Sequence, residues 1–385
     1  MEHGNQEIGL KKGPYLQLPV KDGITIMWET SESVPGYVRV YQATNRQKPD
    51  RSRPCGQFSC GADRMHRVQV TGLEAGKNYC YELVSEDGTA LTECFPFCTA
   101  PKEDAAIRFV LTAEYGGSSA PDGIYARPLI ELMGYEHPDF LLSVGDMVND
   151  GTQEEAWNTY IFGPFAALLR STPFYPCIGN HEVGDKIANG RQPEIYAYYS
   201  QYFAMPHYYS FDYGCAHFCV LDAPNLCPYE DLVSYMPKLP EDYRESEQFR
   251  FLVQDLAGCD KPWKFVVFHY PPYTSSYVDV PALQVLAPIL ERYGVDIVFN
   301  SHAILYDRSH PIARGKVAPV GVRYILVGGF EKFDDWFPPR LNGFSARSVG
   351  NRPGYVRVAL TPYRLELQAI DYEGKLFDVL NIDKK

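Results

Sequence analysis

Phe174-Tyr175-Pro176-Cys177-Ile178-Gly179-Asn180-His181-Glu182 is the stretch on which the fold turns. An apolar run that reads as a buried strand meets a glycine, and three chemically capable side chains follow at once. The arrangement recurs. Phe140-Leu141-Leu142-Ser143-Val144 runs into Gly145-Asp146, Phe265-Val266-Val267-Phe268 into His269, and Ile297-Val298-Phe299 into Asn300-Ser301-His302. One polar residue past a strand is ordinarily a turn or cap residue. Four such ends point instead to chemistry, because ligands of α/β sheets bind beyond the carboxyl ends of the strands. Asp146, Asn180, His269 and His302 offer two oxygens and two nitrogens. That set suits a borderline divalent ion such as zinc, manganese or iron.

Around these ends the chain alternates apolar runs with longer helical stretches. Residues 107–111 read as a buried strand, 124–133 as a helix, and 282–293 as a helix between two strands. The pattern returns to strands at 324–327, 355–358 and 365–368. This is an α/β texture with strands buried on both faces. Before the linker-like Pro101-Lys102-Glu103-Asp104 the texture differs. Residues 10–100 carry short alternating strands with turn signals between them, which predicts a small all-β sandwich. The expected domains are therefore 1–102 and 103–385. The Tyr-, Cys- and Pro-rich tract 208–243 reads as a long loop region near the cleft.

Composition narrows the partners. The 385 residues carry a formal net charge of −12, which argues against nucleic acid, whose phosphates need clustered cations. No apolar run approaches the ~18 residues of a membrane span. The first residues show neither a basic nor an apolar leader segment. A cytoplasmic chain, or a trimmed secreted one, would both look like this. Ten cysteines without a Cys-x-x-Cys favour a mostly reduced chain, with Cys55/Cys60 and Cys94/Cys98 as the candidate bridges.

The strand-end motifs together resemble the metallophosphoesterase superfamily in its purple acid phosphatase branch. The marks are Gly145-Asp146, Gly179-Asn180-His181-Glu182, the strand ending in His269, and Ser301-His302-Ala303-Ile304-Leu305-Tyr306-Asp307-Arg308. Gly13-Pro14-Tyr15-Leu16-Gln17 and the closing Gly354-Tyr355-Val356-Arg357-Val358 add to the likeness, which covers nearly the whole chain. The resemblance implies an α-β-β-α metallophosphoesterase sandwich preceded by an all-β, fibronectin type III-like domain. It also implies two metal ions clamping a phosphoryl group. Asp146, Asn180, His269 and His302 match one ion site in full, and His181 matches the substrate-facing general acid.

The other site departs from the family pattern. The family's Gly-Asp-x-Gly is here Ala113-Glu114-Tyr115-Gly116, its tyrosine ligand is Asn149, and the second histidine of Gly-His-x-His is Ile304. One tightly held ion is expected, with a second weak or absent. Glu114 is then a weak metal ligand or a general base. Without the tyrosine ligand, the iron-loaded protein is expected to be colourless. The leading expectation is a metal-dependent hydrolase acting on small-molecule phosphate esters through a metal-activated water. Two alternatives stand beside it. One is a mononuclear two-His, one-carboxylate enzyme for a non-phosphate substrate, with Tyr115, Tyr273 and Tyr306 drying the vacated side. The other is a catalytically dead binding protein. Glu182 and Asp185 read as loop or cap residues, with support of the metal ligands as the alternative, His207, His217 and His310 as structural or surface residues, with an approach of His310 to the site as its alternative, and Arg308 as a loop anchor paired with a carboxylate.

Overall fold

Alternation of apolar residues in the first hundred positions builds one antiparallel sheet. Its strands are β1 (Leu10–Val20), β2 (Gly23–Asn45), β3 (Lys48–Val70), β4 (Asn78–Val84) and β5 (Phe95–Cys98). The order is β1-β2-β4-β5, with β3 also paired to β2. The computed structural model describes residues 9–45, 48–115, 124–184, 193–229, 237–332 and 341–384. Where the sequence predicts short strands, β2 and β3 are long. Register breaks between Glu29 and Val34 carry β2 past its internal Pro35 and Gly36, as a bulge does when it bends a strand. Ile24, Ile26 and Trp28 from one half of β2 share a core with Val38 and Val40 from the other.

Two compact units result: Met1–Lys102 with Phe165–Phe174, and Glu103–Pro164 with Tyr175–Lys385. Residues of the 165–174 segment join the first unit through Arg170, whose carbonyl accepts from the Tyr81 hydroxyl at 2.9 Å and whose guanidinium lies over Phe95.

The second unit has two mixed sheets. Six strands run in the order β20 (Leu376–Asp383), β19 (Arg364–Asp371), β18 (Gly354–Leu360), β6 (Ile107–Thr112), β7 (Phe140–Ser143) and β8 (Phe174–Tyr175). Seven run in the order β17 (Ser345–Gly350), β13 (Leu305–Ser309), β16 (Arg323–Val327), β12 (Ile297–Asn300), β11 (Trp263–Val267), β10 (Ala216–Val220) and β9 (Tyr209–Tyr213). A small hairpin of β14 (Ile312–Ala313) and β15 (Lys316–Val317) stands apart. The inward residues of both sheets meet in a phenylalanine seam. Phe109 of β6 stacks on Phe140 of β7 at 5.0 Å and meets Phe218 of β10 edge-on at 5.1 Å. Phe299 of β12 also meets Phe109 edge-on, at 6.4 Å.

Outward residues take helices. Val266 and Val298 pack with Leu252 and Leu256 of helix Glu247–Gly258 and Leu290 of helix Ala287–Arg292. On the other sheet, helix Ala126–Tyr135 buries Leu129 and Met133. Its cap residue Glu136 accepts from Tyr355 and Arg357 of β18. The layers are α-β-β-α.

Three expectations are corrected. The tract 208–243 is not one long loop, because it contributes β9, β10 and the helix Ala223–Leu226. All ten cysteines are free thiols. Cys55 and Cys60 lie on the same strand β3, where five residues span roughly 16 Å, far beyond disulfide reach. Cys94 and Cys98 likewise flank and end the extended β5. Asp185 lies outside the described residues.

Candidate metal centre

The centre gathers at the carboxyl ends of β6, β7, β11 and β12, with the loop after β8 closing it. Glu114 follows β6, Asp146 follows β7, His269 follows β11 and His302 follows β12. Parallel pairing of β6 with β7 and of β11 with β12 puts these ends side by side. The loops are then stitched by main-chain bonds: Glu114 N to Gly145 O, Tyr115 N to Asp146 O at 2.9 Å, and Ser301 N to His269 O at 2.9 Å. Glu114, Asp146 and His302 all have positive φ, at 53°, 51° and 72°. That region is uncommon for residues with a Cβ, and clusters of such residues mark functional sites. Gly145 and Gly179 make room: a Cβ on Gly145 would meet His269 Nδ1 at 2.6 Å, and one on Gly179 would collide with Asp146.

Asp146, His269 and His302 place one ligand atom each within 4.8 Å of one another. His269 donates Nδ1–H to the Val144 carbonyl at 2.8 Å, so Nε2 is the nitrogen that meets a cation once it gives up its proton. That Nε2 is buried with no hydrogen bond, 3.0 Å from Asp146 Oδ2. Asn180 Oδ1 is another buried atom without a hydrogen-bond partner. Orphaned buried acceptors of this kind are costly unless something else binds them. Two imidazole nitrogens, a carboxylate and an amide oxygen fit a divalent ion.

The electrostatics agree. Burial disfavours a charge on Asp146, but His269, His181 and His302 outweigh it and hold the carboxyl below the usual range. Burial pulls His302 down to about 3, so its ring is neutral and able to ligate. Burial also opposes a charge on His269, yet Asp146 and Glu114 raise it to about 9. The same anionic field that attracts a proton attracts a cation.

The structure brings His181 to this cluster. Its Nδ1 lies 2.8 Å from the Asn149 carbonyl, which only accepts, so Nδ1 carries a hydrogen. Its Nε2 lies 3.9 Å from Asp146 Oδ2, and the ring is one-third exposed. Asp146 Oδ1 accepts from His181 N at 3.0 Å. Glu114 stands at the border, outside the close group of three. Its Oε1 accepts from Ser301 Oγ at 2.7 Å and His302 N at 2.6 Å, and lies 4.0 Å from His269 Nε2. Burial, then the Asp146 charge, pushes its carboxyl up to about 8. Asn149 is exposed and Ile304 half-buried, and Ile304 offers no donor atom.

Glu182 is the residue the sequence reading undervalued. It is fully buried and takes four main-chain N–H groups: Met147 at 2.6 Å and Val148 at 3.2 Å on Oε1, Asp146 at 2.8 Å and Gly179 at 2.6 Å on Oε2. One carboxylate thus ties the Asp146 loop to the Asn180 loop. Its only advance signal was position, directly after Gly-Asn-His. Two of the three tyrosines named as pocket walls are otherwise employed. Tyr306 donates to Asp378 Oδ2 at 2.6 Å, and Tyr273 packs on Tyr324 at 4.6 Å within the core. Arg308 anchors its strand as expected, gripping Asp378 with Nε at 2.6 Å and Nη2 at 3.0 Å.

A two-sheet α/β sandwich with this constellation at its strand ends defines a metallophosphoesterase architecture. Residues 125–305 match the calcineurin-like phosphoesterase family. Purple acid phosphatase 15 of Arabidopsis thaliana is 26% identical over 307 residues, 69% of this chain and 53% of that protein. The chain therefore spans about half the length of that relative. Among solved structures, the purple acid phosphatase isolated from yellow lupin (Lupinus luteus) seeds superposes with a TM-score of 0.76 at 19% identity, covering 97% of this chain and 74% of that one. PhoD superposes at 0.72 and 14%, covering 97% and 90%. At such identities the structural likeness is one of fold. Residues 125–305 thus form a calcineurin-like phosphoesterase domain, and over most of its length the chain is similar to purple acid phosphatases. No helix among the described residues is long and apolar enough to cross a membrane.

Proposed function

We propose that this chain is a metal-dependent hydrolase of small-molecule phosphate esters, working with one tightly held zinc, manganese or iron ion. The observation that carries the reading is the pair of orphaned buried atoms, His269 Nε2 within the group formed with Asp146 and His302, and Asn180 Oδ1 on the loop after β8. In this reading Asp146, Asn180, His269 and His302 hold the ion. A divalent ion there supplies Lewis acidity toward a phosphoryl oxygen and acidifies water. The protein supplies the rest. His181, with Nδ1 fixed on the Asn149 carbonyl, presents Nε2–H to the leaving oxygen as general acid. Glu114, with Oε1 tied to Ser301 and His302, keeps Oε2 outside those bonds to accept a proton. A second ion is weak or absent, since Asn149 faces solvent and Ile304 has nothing to offer. The non-phosphate alternative loses support, because Tyr273 and Tyr306 are engaged in the core and with Asp378.

A chromogenic phosphomonoester assay on the purified chain tests this. Turnover abolished by chelation, restored by one equivalent of ion and lowered ~10²–10⁴-fold by His181→Ala is the expected result. Stoichiometric ion with no turnover of mono- or diesters would overturn it.

A further inference from the structure

We propose that Ser301 and Glu114 act as a coupled pair that positions His302, so that a neutral, non-ligating hydroxyl sets the affinity and geometry of the ion site. The proposal rests on the single-ion reading above. Glu114 Oε1 binds two successive groups of the turn after β12, the Ser301 hydroxyl at 2.7 Å and the His302 N–H at 2.6 Å. His302 sits at φ 72°, a backbone state that a histidine holds only when its surroundings fix it. Its N–H finds its partner in that carboxylate oxygen.

Ser301 works in two directions. Its main-chain N–H binds the His269 carbonyl and its hydroxyl binds Glu114, so it spans both histidines of the centre. It is completely buried. Glu114 has little freedom to substitute for it. Glu114 is itself at φ 53°, and its side chain is pressed against Gly329, where any added Cβ would collide with it. The hydroxyl thus decides where Oε1 points. Without it Oε1, 4.0 Å from His269 Nε2, keeps only the His302 N–H bond, and the turn that carries His302 loses one of its two ties to Glu114.

Groups that orient metal ligands without touching the metal typically change affinity 10–100-fold when removed. The test titrates Co²⁺ into ion-free wild type, Ser301→Ala, Glu114→Ala and the double variant. It reads affinity by competition with a chelating dye, ligand geometry by the visible cobalt spectrum, and folding by circular dichroism. Ser301→Ala is expected to bind ~10–100-fold more weakly and to show a shifted spectrum at saturation. The double variant is expected to bind no more weakly than Glu114→Ala, because the serine acts through the carboxylate. Ser301→Gly serves in place of the alanine variant should that one unfold. Wild-type affinity and spectrum in the folded serine variants, or losses that simply add in the double variant, would overturn the pair. Hydrolysis is a separate outcome: a wild type that binds one ion and turns over no ester refutes the phosphoesterase reading and leaves the pair to be judged on cobalt alone.

Discussion

Replacing Glu182 by glutamine is the most demanding test of how the centre is held. The carboxylate accepts from four buried N–H groups, two on each oxygen. An amide has one oxygen and one NH₂. Whichever way it sits, the NH₂ faces two main-chain donors, Met147 with Val148 or Asp146 with Gly179. Two buried N–H groups then lose their acceptor, at about 1–3 kcal/mol each, for a total of about 2–6 kcal/mol. Against a typical total stability of ~5–15 kcal/mol that is a large fraction. The assay is urea unfolding of the chelator-treated protein, wild type against Glu182→Gln, with ion affinity measured on the folded variant. Affinity is expected to fall ~10–100-fold, since Asp146 and the Gly179-Asn180 turn lose their common tie. A stability loss under about 1 kcal/mol with unchanged ion affinity would refute the reasoning.

Two further outcomes follow from other parts of the molecule. His217 has Nδ1 2.8 Å from Asp212 and Nε2 2.8 Å from Asp255, so both nitrogens donate and the ring is cationic. Burial works against this charge, but the two aspartates raise its pKa to about 9. A folded-state pKa above the unfolded ~6.5 means stability that is complete below pH ~6.5 and lost as pH rises to ~9, by at most about 3 kcal/mol. Thermal melts across that window should show the fall, and His217→Gln should flatten it; a wild-type profile that stays level would remove the argument. Iron loading should give a colourless protein, because Asn149 stands where a tyrosine would ligate; a strong visible absorption band on adding Fe³⁺ would show that a tyrosine reaches the ion.

Much of the centre was legible because its residues sit where topology puts chemistry. Asp146, His269 and His302 each follow a short apolar run; parallel pairing aligns such ends within each sheet, and the packing of the two sheets brings the ends together. Glu182 and Ser301 were opaque for the opposite reason. Their work is done on main-chain N–H groups or on a residue 187 positions away, and no local pattern encodes those partners. The long strands β2 and β3 were hidden by punctuation. Residues that ordinarily favour turns, such as Pro35 and Gly36, lie inside β2, and the register shifts absorb them within continuous pairing. The cysteine pairs failed on geometry that spacing alone conceals, since residues near in sequence are far apart on an extended strand.

The phenylalanine seam beneath the centre bears on how such a protein changes over generations. Phe109, Phe140, Phe218 and Phe299 clamp the two sheets together below the strand ends, and none of them is shared with the loops that carry the ligands. The contact between the two sheets is therefore made by residues outside those loops, whose own cohesion rests on Glu182. Positions 114, 149, 301 and 304 can drift, lose a ligand or acquire a new hydrogen-bonded pair while the strand ends stay in register. Away from Glu182, a fold built this way lets its rim change with the seam between the sheets untouched.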